Sequence, residues 1–241
     1  PGLRFGISAS WASGDLDNND NLTTVDLDTA GVGVYGSYSL PNGVFFDANV
    51  SYATTDSDYT VNAVGGGVVK GSYDVNSWQF GARGGAVVKV DNFQIIPSVG
   101  VRVLSLEQKG WTETLDAAAL ANPSVPGPHV YGKTSDHQVD IPLQVKFNAT
   151  VAAGSATVTP ELRLGYTFTV KKPDNVLNVG FVGAPQTWRI QGVKPRSGSF
   201  QIGAGVKVNT GGLVDIFANY DLDASSGYKA HNASLGIGFE F

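Results

Sequence analysis

The sequence predicts an all-β protein, namely a twelve-stranded antiparallel up-and-down transmembrane β-barrel with short periplasmic turns and long extracellular loops. Three observations predict this fold. Apolar and polar residues alternate along segment after segment. The connections between segments are short and long in turn. The aromatic residues lie near the two ends of the segments rather than in their middles.

Twelve segments show the period of two that places alternate side chains on opposite faces of a strand. An even number of strands is typical of bacterial single-chain barrels. One helix candidate, residues 114–122, contains alanine and leucine and precedes a proline-rich stretch. The strand segments are residues 3–11, 30–40, 44–52, 77–88, 93–103, 138–151, 157–170, 175–182, 187–192, 200–208, 213–222 and 231–241.

The connections predict two different ends of the molecule. "PNG", "KVDN", "AAGS" and "NTGG" are tight turns, whereas residues 14–28, 54–72, 107–137 and the flanks of 171–174 are long and polar. In a meander, alternate connections lie at opposite ends of the sheet. One end is therefore predicted to carry only turns and the other long loops, as in transmembrane barrels.

Composition excludes several classes of protein. No apolar stretch approaches the ~18–20 residues of a spanning helix. The net charge of -5, with no basic cluster, gives no support for nucleic-acid binding. The absence of cysteine rules out disulfides and thiolate chemistry. The three histidines, His129, His137 and His231, would have to meet at loop tips to bind a metal, so neither a metal nor a cofactor is expected, and we expect no enzymatic activity. The start "PGLRFG" is neither an initiator nor a signal peptide, so we expect a piece of a longer chain.

One face of the predicted strands is free of charge and the other carries all the charged residues. On the lipid side each charge would cost ~2–4 kcal/mol at the bilayer midplane, so the charged face is predicted to line the lumen. The predicted lumen-facing charged residues are Arg4, Asp47, Arg83, Arg102, Asp140, Lys146, Glu161, Arg163, Arg189, Lys207, Asp215 and Glu240.

The uncharged face predicts a lipid-facing surface. A soluble sandwich or lipocalin also alternates, with its apolar residues inside. By contrast, two aromatic bands with aliphatic residues between them are typical of a membrane girdle. The predicted girdle residues are Trp11, Phe46, Tyr52, Trp78, Phe93, Phe147, Tyr166, Trp188 and Tyr220.

The chain resembles the C-terminal translocator barrel of bacterial autotransporters, the type V secretion proteins. The resemblance lies in "GVYGSYSLPNGVFFDANVSYATTD", "SWQFGARGGAVVKVDNFQIIPSVGVRVLSLEQKGWTET" and "NASLGIGFEF", and it covers essentially the whole chain. It implies a monomeric outer-membrane barrel, residues 1–241 forming one domain, through which the protein's own passenger reaches the cell surface. It also implies an assembly signal, Leu235, Ile237, Phe239 and Phe241, read by the barrel-assembly machinery.

The chain departs from the family pattern in two respects, and two alternatives stay open at this point. Leu3 already begins a strand, so the family's linker helix and the passenger are expected to be absent from this chain. Ile96-Pro97 stands where the family often has Glu-Pro. Asp140 and the pair Glu161/Arg163 could serve self-cleavage, but ion pairing is the favoured interpretation. The alternative function is that of a stand-alone outer-membrane porin or adhesin barrel.

Overall fold

The computed structural model describes residues 2–17, 22–192 and 197–239, so Glu240 and Phe241 of the predictions lie outside the described residues. The described chain is almost entirely β-strand. In chain order the elements are β1 (Gly2–Asp17), β2 (Thr23–Ser39), β3 (Val44–Asn62), β4 (Val68–Ala86), β5 (Val88–Val90), β6 (Phe93–Gln108), β7 (Trp111–Thr112), β8 (Thr114–Leu115), α1 (Ala117–Ala121), β9 (His129–Tyr131), β10 (Thr134–Ala149), β11 (Val151–Ala153), β12 (Ala156–Lys171), β13 (Val176–Phe181), β14 (Thr187–Gln191), β15 (Gly198–Asn209), β16 (Val214–Ser225) and β17 (Tyr228–Phe239).

Ten long strands form one antiparallel meander in the order β1-β2-β3-β4-β6-β10-β12-β15-β16-β17. Each strand pairs with the next long strand in the sequence, and the sheet curls into a half-barrel. The short strands β5, β11 and β8 extend this sheet by pairing with β6, β12 and β4. The predicted antiparallel up-and-down architecture is therefore confirmed.

The count of twelve strands is not reproduced among the described residues. The predicted strands 175–182 and 187–192 correspond to β13 and β14, which form a hairpin in a second sheet of order β14-β13-β9-β7. They have 6 and 5 residues, whereas a membrane-crossing strand needs about 9–11. In the main sheet β12 pairs directly with β15, for example Tyr166 with Phe200.

All four predicted tight turns lie at one end of the sheet. The turn between β5 and β6 has Asp91 at φ 52°, and the turn between β11 and β12 has Gly154 at φ 66°. Residues in the left-handed backbone conformation suit two-residue hairpin loops, because the resulting turn matches the twist of the strands. Leu40 to Gly43 and Thr210 to Leu213 make the other two turns at this end.

Two of the predicted long loops are largely strand. Of the predicted loops, residues 14–17 and 23–28 instead extend β1 and β2, residues 54–62 and 68–72 extend β3 and β4, and β3 and β4 reach 19 residues each. Alternating Thr, Val and Tyr residues in these segments favour strands despite their polarity. The other two connections, residues 109–133 and 172–197, are long, and they contain the strands of the second sheet and the predicted helix α1. The Oδ1 of Asp116 caps α1 by accepting a hydrogen bond from the backbone N–H of Ala119.

The main sheet has no apolar protein core. In the part of the chain that the structure describes, only Ala119 and Val179 are buried apolar side chains, and both belong to the loops. None of the described helices has the length and apolar character needed to cross a membrane.

Candidate functional site

The two faces of the curled sheet differ in exposure. Along β6, Ile95, Val99 and Val101 are 38%, 51% and 42% exposed. The intervening Gln94 and Ser98 are only partly exposed. Since side chains inside a curled sheet shield one another, the polar residues lie on the inner face and the apolar residues on the outer face.

The inner face is crossed by ion pairs between neighbouring strands. Asp47 on β3 pairs with Arg83 on β4, its direct cross-strand partner. Asp140 on β10 pairs with Arg102 on β6, with 2.6 Å between Nη2 and Oδ2. The carboxylate of Asp140 is 1% exposed and also accepts hydrogen bonds from Gln138 and Thr169.

A second group of charges continues across β10, β12 and β16. Glu161 contacts both Lys146, at 3.1 Å, and Arg163, at 2.5 Å. Arg163 also forms two hydrogen bonds with Asp221. Nearer the turn end, Lys207 pairs with Asp215 at 2.5 Å. In these two groups, each inner-face charge thus lies at hydrogen-bond distance from an opposite charge.

Nine of the twelve predicted lumen-facing charges take part in these pairs. Of the other three, Arg4 lies on β1, Glu240 is outside the described residues, and Arg189 lies on β14 in the second sheet rather than on a long strand. The placement predicted for Arg189 is corrected because its segment does not enter the main sheet. Asp221 was missed as a site residue, although its alternation with Tyr220 and Leu222 puts it on the charged face. The paired residues are Asp47, Arg83, Arg102, Asp140, Lys146, Glu161, Arg163, Lys207 and Asp215.

Aromatic rings also lie on the inner face, each over a glycine of a neighbouring strand. A Cβ placed on Gly236 would lie 2.2 Å from the ring of Phe217, and one on Gly6 would lie 2.5 Å from the ring of Tyr35. Each ring therefore occupies a space that exists only because the neighbouring residue is glycine, and any larger residue there would collide with the ring. Sequence reasoning missed these contacts because the aromatic girdle was sought on the apolar face alone.

The outer face carries the predicted aromatic residues at the surface of the sheet. Trp11, Phe46 and Phe93 are 74%, 55% and 62% exposed. Tyr52 and Trp78 are cross-strand partners, with ring centroids 4.9 Å apart. Phe147, Tyr166 and Tyr220 lie on the long strands β10, β12 and β16.

Trp188 is the exception among the predicted girdle residues. It lies on β14 and packs against Phe181 and His129, at centroid distances of 5.1 and 6.0 Å. Its placement in the girdle is corrected for the same reason as that of Arg189, since the β13–β14 hairpin belongs to the second sheet.

The last strand continues the pattern of the outer face. Leu235 and Ile237 on β17 are 79% and 62% exposed, and they pair with Ala218 and Ile216 of β16. Phe239 is the last residue of β17.

A buried acid lies at the loop end of the molecule. Oε1 of Glu113 accepts hydrogen bonds from the hydroxyls of Tyr59 and Tyr131 at 2.8 and 2.9 Å. Oε2 accepts one from the backbone N–H of His129, whose Nδ1 is 2.5 Å away. Burial acts to raise the pKa of Glu113, but the hydrogen bonds from His129 and the two tyrosines outweigh it and hold that pKa below its usual value. Burial, and then the bond to Glu113, raises the pKa of Tyr131 to about 12.

An exposed outer face with an uncharged belt, an ion-paired inner face and an all-antiparallel meander define the class of outer-membrane β-barrel proteins. The family model "Autotransporter beta-domain" matches residues 1–221, and the chain belongs to this family. It is accordingly an outer-membrane translocator domain.

Relatives with known sequences are much longer than this chain. The putative uncharacterized protein YaiT of Escherichia coli is 28% identical over 174 residues, which is 72% of this chain and 17% of that protein. Outer membrane protein A of Rickettsia rickettsii is 22% identical over 251 residues, covering 99% of this chain and 11% of that protein. The chain thus spans less than a fifth of the length of these relatives.

Two solved structures of similar fold are domains of autotransporters. That of the autotransporter NalP from Neisseria meningitidis superimposes with a TM-score of 0.77 at 14% identity, covering 99% of this chain and 76% of that one. The β-domain of the Bordetella autotransporter BrkA gives a TM-score of 0.69 at 18% identity, covering 99% and 84%. Both comparisons support the barrel fold.

Proposed function

We propose that residues 1–241 form a single outer-membrane domain that serves as the conduit through which the passenger of the same polypeptide reaches the cell surface. The inner face of the sheet would line this conduit, and the outer face would contact the hydrocarbon of the membrane. Family membership supports the role of translocator.

The observation that carries the proposal is the contrast between the two faces. Nine predicted inner charges are paired with one another or with Asp221. A water-filled, ion-paired wall suits an export route, because it presents charged, hydrated side chains along the path of an unfolded chain. In a lipocalin-like soluble protein the apolar face would instead be buried.

We assign the outer aromatic residues, with the exception of Trp188, to the two membrane interfaces. Asp28, Asp56 and Asp74 form a row of direct cross-strand partners on the outer face. This row lies four residues beyond Tyr52 on β3, so the uncharged belt ends just above that ring. Aromatic rings at the border between apolar and charged surface are typical of membrane interfaces.

We further propose that the alternating residues Leu235, Ile237, Phe239 and Phe241 at the end of the chain are the signal for the barrel-assembly machinery, and that the assembled domain is monomeric. Truncating residues 240–241 tests the first point. Reduced membrane insertion with unchanged synthesis is expected, and normal insertion would overturn the assignment.

The export role is tested with the full-length protein in its own bacterium. An epitope in the part of the polypeptide outside this domain is probed on intact cells with an antibody and with an external protease. We expect the epitope at the surface in the wild type and its retention when residues 1–241 are deleted. Surface display without this domain would contradict export. If the full-length protein has no passenger and the purified protein conducts small solutes, the porin alternative is correct.

A further inference from the structure

We propose that Glu113 is a positioning residue for export, because its carboxylate fastens a cap built from two loops onto the inner wall of the conduit. The cap is defined here as the second sheet, β7, β9, β13 and β14, together with β8 and Glu113. It covers part of the outer end of the conduit, and it has to swing away when a polypeptide passes. This inference rests on the proposed export function.

The cap lies on the inner side of the main sheet. Tyr59 on β3 and Gly71 on β4 are direct partners. They share the face of Asp47 and Arg83, because they are separated from these residues by even numbers of positions along the strands. Trp111 of the cap packs against this wall, and a Cβ on Gly71 would lie 2.7 Å from its ring.

Aromatic packing continues from the wall into the cap. The ring of Trp111 is 5.0 Å from that of Tyr59 and 5.4 Å from that of Tyr73, both of which belong to the wall. On its cap side, Trp111 stacks on Tyr131 at 3.6 Å. The rings are thus stacked from β4 to β9, and Tyr59 on β3 meets this stack edge-on.

The carboxylate of Glu113 joins the two bodies at the edge of this stack. Its Oε1 accepts one hydrogen bond from Tyr59 of the wall and one from Tyr131 of the cap. Its Oε2 holds His129 at the start of β9. Glu113 is only 9% exposed, so its loss would leave two hydroxyls and a backbone N–H without this acceptor in a place that water barely reaches.

The two loops move as one unit because backbone bonds join them. β13 pairs with β9 from Val179–Tyr131 to Phe181–His129. The N–H of Gly132 also donates to the carbonyl of Asn178 at 2.8 Å. Once the contacts of Glu113, Trp111 and β8 with the wall are broken, the hairpin β13–β14 therefore moves together with the segment that carries Glu113.

The first experiment locks the cap on the wall. Lys70 on β4 and Thr114 on β8 are direct antiparallel partners, a spacing that a disulfide can bridge. In the full-length protein, Lys70→Cys combined with Thr114→Cys is compared with each single variant. We expect the oxidised double variant to insert normally but to display about tenfold less passenger, with recovery after reduction. Display equal to that of the single variants, with the disulfide formed, would overturn the proposal.

The second experiment loosens the cap. We expect Glu113→Leu to raise the external-protease sensitivity of residues 109–133 about tenfold on intact cells, since buried donors lose their acceptor. Glu113→Gln keeps one carbonyl oxygen for the tyrosine hydroxyls, so its protease sensitivity should lie between that of Glu113→Leu and that of the wild type. Unchanged sensitivity in Glu113→Leu would overturn the role of Glu113. These readouts are separate from export itself, because failure of the wild type to display any passenger contradicts the export function rather than the cap.

Discussion

Arg163 on β12 and Asp221 on β16 form a two-point ion pair across the intervening strand β15. Nε of Arg163 is 3.1 Å from Oδ1, and Nη2 is 3.0 Å from Oδ2. The residue between them in the same row is Gly203, and a Cβ there would lie 2.1 Å from Asp221 and 2.8 Å from Arg163. The pair exists because β15 contributes no side chain at this position.

Replacing Gly203 tests this dependence on an empty position. We expect Gly203→Val to displace the two side chains and to lower the free energy of unfolding by about 1–3 kcal/mol, the usual cost of overpacking. Urea unfolding of the detergent-refolded protein measures it. Gly212→Ala is the matched control, because its Cβ has no neighbour closer than 4.0 Å. Equal stability of the two variants would contradict the proposed close fit.

Asp140 should be the most sensitive acid of the inner face. Asp140→Ala leaves Arg102, Gln138 and Thr169 without their shared acceptor. We expect a loss of about 2–4 kcal/mol, toward the lower part of the range for buried pairs, because the side chain of Arg102 is 44% exposed. Asp47→Ala is the control, with a loss of about 0.2–1 kcal/mol expected for an exposed pair. A larger loss of stability for Asp47→Ala than for Asp140→Ala in urea unfolding would contradict this prediction.

The cap should open in acid. The hydrogen bonds from His129 and the two tyrosines hold the pKa of Glu113 in the folded state below its usual value, so its contribution to stability is present above that usual value and is lost as the pH falls through the lower folded pKa. Below about pH 4.5, hydrogen exchange of residues 109–133 should therefore be faster than the intrinsic pH dependence of amide exchange predicts. The pKa of Tyr131, raised to about 12 from 10.0, predicts a second loss of protection above about pH 10.

Glu113→Gln provides the control for the acid effect. This variant has no carboxylate at position 113, so the acceleration in acid should be absent, whereas the alkaline effect of the tyrosines should persist. The same acid response in the wild type and in Glu113→Gln would assign it to a different group.

A charge introduced on the outer face should lower the free energy of unfolding far more than one introduced on the inner face. Val99 is 51% exposed on the outer face of β6, and the neighbouring Ser98 lies on the inner face. We expect Val99→Arg to cost about 2–4 kcal/mol, the value for a cation at the bilayer midplane, and Ser98→Arg to cost much less. Refolding into vesicles, followed by urea unfolding, compares them. Equal costs would contradict the assignment of the faces.

The faces of the long strands could be predicted from the sequence because the period of two is a local property. Val99 and Arg102 fall on opposite faces wherever β6 pairs, and Asp221 was available from the same alternation. The strand count is not confirmed at Trp188 and Arg189, because periodicity does not distinguish a five-residue loop strand from a membrane strand. The partners of Glu113 could not be predicted, since Tyr59 and His129 lie 54 and 16 residues away in the sequence.

The most direct test of the account is the environment of successive residues along β6. Single cysteines at positions 95–103, in a domain that has none, are labelled with a small fluorophore in the refolded protein. We predict that labels at Ile95, Val99 and Val101 are quenched by brominated lipid, and that labels at Ile96, Ser98 and Arg102 are quenched by a water-soluble quencher. Lipid quenching at the second set and aqueous quenching at the first would contradict the account.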